Sequence, residues 1–223
     1  MALSSFKKRI ADADLGQRAS LVVLAACVSV LLYIGCAEQR RPEPLPCLER
    51  AVFGDPAESP YVLPYPVGTS YRLAQSYCCP WGGHRDQLAY DFEMPIGTDV
   101  TAARAGIVRR VRDDLPDAGA EQDPGQHNHI LIQHEDGTVA LYGHLQQHGL
   151  AVREGDRVES GQRIAASGNS GNTKGEPHLH FGVYQFWPAT ERFDVPVNFR
   201  NARGPLDSRG SLVAGSHYEA IPY

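Results

Sequence analysis

Six short apolar-rich stretches between residues 88 and 184 constrain this chain more than any other feature. They are Leu88–Met94, Gly106–Val111, His129–His134, Val139–His144, Arg163–Ser167 and His178–Tyr184. Most end in turn signals such as Asp136-Gly137, Gly155-Asp156 or Asn169-Ser170-Gly171. No window here carries the 3.6-residue period of an amphipathic helix. Runs this short cannot bury a helical face, yet each is a normal strand length, so the region predicts an all-β domain of short antiparallel strands. Leu115 to Gln126 is polar and breaker-rich, and predicts an exposed loop between two strands. At 223 residues the chain can hold one sizeable core plus extensions. Its 42% hydrophobic and 21% charged content excludes disorder throughout and a multi-span membrane protein. A formal net charge of −5 leaves no basis for a polyanion-binding surface, so nucleic acid is excluded as a partner.

The N-terminal segment reads differently. Leu21 to Ile34 is an uncharged, nearly all-apolar run behind the basic cluster Lys7-Lys8-Arg9 and Arg18. Ala19 to Gly35 gives 17 residues, short for a spanning helix and slightly long for a secretory h-region. This predicts one N-terminal apolar helix that exports or anchors the chain, with its bulk outside the cytoplasm. Leu32-Tyr33-Ile34-Gly35-Cys36 is similar to a bacterial lipoprotein box, so a lipid on Cys36 and an uncleaved anchor are both expected routes to a membrane. The expected organisation is a signal or anchor over 1–36, a Pro-rich linker over 37–65, the β domain over 66–200 and a tail over 201–223. Of the cysteines beyond the box, Cys78 and Cys79 are neighbours and would bridge each other only with strain. Cys47 paired with either one is the simpler disulfide.

Nine histidines invite a site. On a strand His178 and His180 project from one face while Leu179, Phe181 and Val183 project from the other. Asp91 alternates with Tyr90 and Phe92, so its carboxylate faces away from the apolar layer. His144 closes the strand Ala140 to Leu145. His127-Asn128-His129 opens a strand after the polar loop and predicts solvent exposure, while His134, His148 and His217 carry no partner signature. The zinc-protease pattern H-E-x-x-H is absent, since His134-Glu135 is followed by Thr138 where the second histidine would stand.

Taken in order, H-x6-D-F-x-x-P-x-G-T (84–98), Y-G-H-L (142–145), S-G-N-S-G (167–171) and P-H-L-H-F-G-V (177–183) resemble the lysostaphin-type, LytM-like zinc endopeptidases of bacterial cell walls. The resemblance covers about residues 66 to 200. It implies a barrel-sandwich (duplicated hybrid motif) fold and one zinc held by His84, Asp91 and His180. It also implies two catalytic histidines beside the attacking water, His144 and His178. The commonest family spacing between the first His and the Asp would fall on Leu88 here. A longer insertion also occurs in the family, Asp91 directly precedes the matching Phe, and Asp86 is the weaker alternative. The chemistry suits these residue types. Three N/O ligands leave a tetrahedral zinc one open position. A histidine beside it can take a proton from water or donate to an oxyanion, and which of His144 and His178 does which stays open.

The resemblance implies peptidoglycan stem peptides or cross-bridges as substrate and a location in the cell envelope, where a regulatory partner of unspecified kind is open. Two other functional classes compete. Residues 155–165 are similar to an element shared with lipoyl and biotinyl carriers, but the only lysine beyond residue 8 is Lys174, which follows that element rather than preceding it. A non-catalytic relative that binds and activates another wall hydrolase would be expected to have lost zinc ligands, and all are present.

Overall fold

The computed structural model describes residues 46–80, 83–119, 126–186 and 193–223. The apolar run Leu21–Ile34, the helix expected there and Cys36 lie outside them. Residues 44–223 form one compact unit. Among the described residues, no helix is long and apolar enough to cross a membrane.

The architecture is antiparallel β. Among the described residues a four-residue helix α1 (Cys47–Arg50) and a 3-10 turn (Pro56–Glu58) precede eleven strands. These are β1 (Ser70–Gln75), β2 (Ala89–Glu93), β3 (Asp99–Thr101), β4 (Gly106–Arg112), β5 (His129–Gln133), β6 (Val139–Gly143), β7 (Arg157–Val158), β8 (Arg163–Ala166), β9 (Leu179–Tyr184), β10 (Ala202–Arg203) and β11 (His217–Ala220). Nine of them form one sheet in the order β10-β11-β1-β2-β9-β6-β5-β4-β7, and β3 pairs with β8 in a second. All six expected strands lie within a residue or two of the observed bounds. The β5–β6 hairpin turns at Asp136-Gly137, where Gly137 takes φ +87° and the Asp136 carboxylate accepts from Thr138 N at 3.0 Å.

Register decides what each face carries. Ile130, Tyr142, Phe181 and Tyr90 pair across four adjacent strands, all are buried, and they form the middle of the core. One step along, His129, Gly143, His180 and Asp91 pair in the same way, so alternation turns that row to the opposite face. The sheet thus lays a polar row directly behind an aromatic one.

Two expected boundaries need correction. From residue 46 the Pro-rich stretch is part of the domain rather than a linker. Tyr61, Leu63 and Tyr65 are core residues, and Val62 N donates to Ala103 O at 2.8 Å. Leu63 N donates to Asn201 Oδ1 at 2.7 Å. Pro60, Pro64 and Pro66 lack the N–H needed for a regular ladder, which hides the strand signal. Residues 61–65 are nevertheless buried without a break, Val62 and Pro64 included. The tail is likewise structural: β11 pairs with β1, and Tyr218 is fully buried. Leu63→Ala should therefore cost about 2–5 kcal/mol of unfolding free energy by chemical denaturation, the range for a core truncation. A linker residue would cost almost nothing.

Cys47 pairs with Cys78, tying α1 to the segment after β1, and Cys79 is a free thiol. Cys47, Ala51 and Leu88 make a small second core against Phe53 and Tyr77.

Candidate metal centre

The polar row and the loops at its end bring three donors together. Asp91 Oδ1 lies 2.9 Å from His180 Nδ1 and 3.2 Å from His84 Nε2, and the two ring nitrogens are 3.2 Å apart. Asp91 and His180 are direct partners across β2 and β9, which is why the carboxylate meets the imidazole. His84 reaches them from the loop before β2. Its Nδ1 donates to Ser76 O at 3.3 Å, which leaves the Nε2 lone pair turned toward the cluster. His84 and Asp91 are buried, at 2% and 3% exposure.

Burial alone would raise Asp91, but His84 and His180 beside it hold its carboxyl well below the usual carboxylate range. Burial opposes a charge on His84, yet Asp91 next to it raises its pKa overall. Burial lowers His180, outweighing Asp91. A carboxylate and two imidazole nitrogens packed this closely repel one another unless a proton or a cation sits among them. A tetrahedral ion with bonds of about 2.0–2.1 Å separates its ligand atoms by roughly 3.3 Å. The observed triangle is within a few tenths of an ångström of that, so these residues fit zinc.

His144 and His178 line the same site. His144 follows β6 with φ 59°, a left-handed conformation that non-glycine residues rarely adopt, and one that is often retained where function requires it. Its Nδ1 donates to Ser170 O at 2.7 Å. His178, just before β9, donates Nδ1 to Glu176 O at 2.7 Å. A carbonyl only accepts, so both rings carry the proton on Nδ1 and leave Nε2 for the site. The His178 Nε2 is 3.9 Å from Asp91 Oδ1, and the His144 and His178 rings are 4.6 Å apart. Burial, with His178 and His180 nearby, pushes His144 down to about 3.

Asp86 is not in the cluster. Its exposed carboxylate pairs with Arg50 at 2.9 Å, and Arg50 also pairs with Asp194, whose other oxygen accepts from Leu88 N at 2.6 Å. The residues that lengthen the His84–Asp91 spacing are thus held against α1. His134 lies away from the site, buried, with Nδ1 donating to Ala105 O.

The expectation for His127 and His129 requires correction. Both are half-buried rather than exposed, and the His127 ring lies 4.9 Å from that of His144. Burial, then His144, pushes His127 down to about 2. Sequence reasoning passed it over because the polar loop before it suggested solvent. In the structure the buried Asn128 between His127 and His129 accepts from Leu115 N and donates to Leu115 O and Leu145 O, which ties the loop to the strand.

Residues 85–195 match the model of Peptidase family M23. The match opens one residue after His84 and takes in Asp91, His144, His178 and His180. The peptidoglycan DD-endopeptidase ShyA of Vibrio cholerae is 34% identical over 128 residues, which is 52% of this chain and 26% of that protein. The outer membrane antigenic lipoprotein B of Histophilus somni is 30% identical over 118 residues, 53% of this chain and 31% of that one. A crystal structure of a zinc-containing peptidase from Vibrio cholerae is 27% identical with a TM-score of 0.44, covering 61% of this chain and 39% of its own. The chain therefore spans less than half the length of each of these relatives. Through residues 85–195 it belongs to peptidase family M23, a family of zinc metallopeptidases.

Proposed function

We propose that the chain is a zinc-dependent endopeptidase that hydrolyses peptide bonds in peptidoglycan stem peptides or cross-bridges, with one zinc held by His84, Asp91 and His180. The observation that carries this is the closed triangle of His84 Nε2, Asp91 Oδ1 and His180 Nδ1, 2.9 to 3.2 Å on a side, with two further histidines alongside. ShyA, a peptidoglycan DD-endopeptidase by name, supports the substrate class.

Zinc bound there would supply a Lewis acid that polarises a peptide carbonyl and acidifies water at neutral pH. The protein's own part is proton handling. With Nδ1 held by a backbone carbonyl, His144 and His178 each offer Nε2 to the substrate side. One accepts the proton of the attacking water and passes it to the leaving amine. The other, once its Nε2 carries a proton, donates to the oxyanion. The 2.7 Å bonds to Ser170 O and Glu176 O keep both rings from turning away.

The same reading takes the two sheets as a barrel-sandwich. It takes residues 1–36 as a basic n-region and signal or anchor segment that tethers the chain in the cell envelope, with residues 46–223 outside the cytoplasm. The lipoprotein from Histophilus somni supports a tether. Labelled fatty acid on Cys36 would mark a lipid tether, and its absence an uncleaved anchor.

The test is incubation of the purified full chain with isolated wall material, with and without chelator, followed by mass spectrometry of the released fragments. Soluble peptides should appear, vanish with chelator and return with added zinc. Release that ignores the chelator would sink the reading.

A further inference from the structure

The polar row has a gap that a loop residue fills. His129, Gly143, His180 and Asp91 pair across the sheet, and only Gly143 lacks a side chain. The His127 imidazole lies over that vacancy. A Cβ on Gly143 would stand 3.1 Å from His127 Nε2, 3.2 Å from its Cδ2 and 3.3 Å from His180 Cβ. A second glycine completes the seat. Gly171, at φ +79°, would put a Cβ 2.8 Å from His127 Cβ and 2.5 Å from Gln126 O. Two glycines at points of close approach thus keep one ring beside His144, 4.9 Å between centroids.

The ring is held, but its polar atoms are unused. His84, His144 and His178 each bind a backbone carbonyl through Nδ1, and His129 does so to His127 O. His127 makes no side-chain hydrogen bond among the described residues. The ring itself is half-buried, at the end of the polar row. A neutral imidazole carries one donor and one acceptor. Either one can pair with a peptide backbone, whose C=O groups accept and whose N–H groups donate.

We propose that His127 is a substrate-binding residue whose imidazole hydrogen-bonds a backbone amide of the peptide flanking the bond to be cleaved. The inference rests on the reading of this groove as an endopeptidase site. It adds a contact that neither holds metal nor moves the reacting proton.

The experiment measures steady-state hydrolysis of a synthetic cross-linked stem-peptide dimer by the full chain, together with zinc content and the thermal midpoint. His127→Phe keeps a ring over Gly143 without hydrogen-bonding atoms, while His127→Gln keeps a donor and an acceptor. His127→Phe should raise KM about tenfold, the scale of one or two lost hydrogen bonds, and lower kcat by less, with zinc content held. His127→Gln should recover most of the loss. If His127→Phe does not fold, His127→Met against His127→Gln makes the same comparison at matched side-chain length. Equal KM values for wild type and His127→Phe, or for the Gln and non-bonding variants, would overturn the proposal while leaving the endopeptidase reading intact. A wild-type chain that holds zinc but cleaves no peptide would overturn both.

Discussion

His180→Ala and Asp91→Ala should each empty the metal site and abolish wall hydrolysis, whereas Asp86→Ala should leave both near wild type. Each of the first two removes one of three protein donors. Loss of mere outer-shell partners costs roughly 10–100-fold in metal affinity, so loss of a direct donor should cost more than about 10²-fold. The remaining pair would be His84 Nε2 with either the carboxylate or the His180 nitrogen, each 3.2 Å away, which cannot close a three-ligand face. Asp86 is a stringent control, because it lies only five positions from Asp91 and inside the same His84–Asp91 interval. Its side chain is 69% exposed and its partner is Arg50, so the pair should be worth under about 1 kcal/mol. Arg50 also keeps its contacts to the Asp86 backbone carbonyl and to Asp194, and these hold the loop without that carboxylate. Metal analysis of the three purified variants, with thermal midpoints to verify folding, decides the matter. Zinc lost from Asp86→Ala and kept by Asp91→Ala would move the carboxylate ligand to Asp86.

The contrast between Asp91 and Asp86 also marks what could be read from the residues. Strand alternation carried Asp91, His178 and His180, because period-2 geometry fixes a side chain's face before any partner strand is known. Turn chemistry carried the hairpin at Asp136-Gly137. Pairing partners were not legible in the same way. Nothing local in Ala89–Glu93 or Leu179–Tyr184 states that Asp91 and His180 face each other, since that follows from the register of two strands nearly ninety residues apart in sequence. The misread segments share a cause. Residues 46–65 have the prolines of a linker together with the apolar run Tyr61 to Tyr65, and the prolines dominated the reading. His127 follows a polar loop, and its burial comes from what lies above and below it, namely Gly143 and Gly171, which are distant in sequence. Close approach to a distant glycine leaves no local trace. Cys47 could be matched to the Cys78-Cys79 pair from sequence, but the choice of Cys78 depended on the path of the backbone.

His144→Ala and His178→Ala should separate catalysis from metal binding, with each keeping its zinc and losing about 10²-fold or more in turnover. That is the scale for removing a general base or an oxyanion donor. The geometry makes His178 the more searching case, because it stands two residues from His180 on the same side of the chain. Its Nε2 is 3.9 Å from the Asp91 oxygen, against 2.9 Å for His180 Nδ1. Its Nδ1 is engaged by Glu176 O, so the ring meets the site from the rim rather than from within the donor triangle. His144 is farther from the donors, its ring 6.1 Å from that of His180, and is fixed by Ser170 O. Removing either ring should therefore leave the three donor distances unchanged while deleting an Nε2 from the substrate side. A double variant should lose little more than the worse single one if the two act in one proton-transfer sequence, and should lose the product of both if they act independently. Zinc content and peptide hydrolysis measured in parallel read out both points. Should His178→Ala empty the site while His180→Ala retains zinc, the two histidines of Pro177–Phe181 would exchange roles, and the metal would be held from the rim.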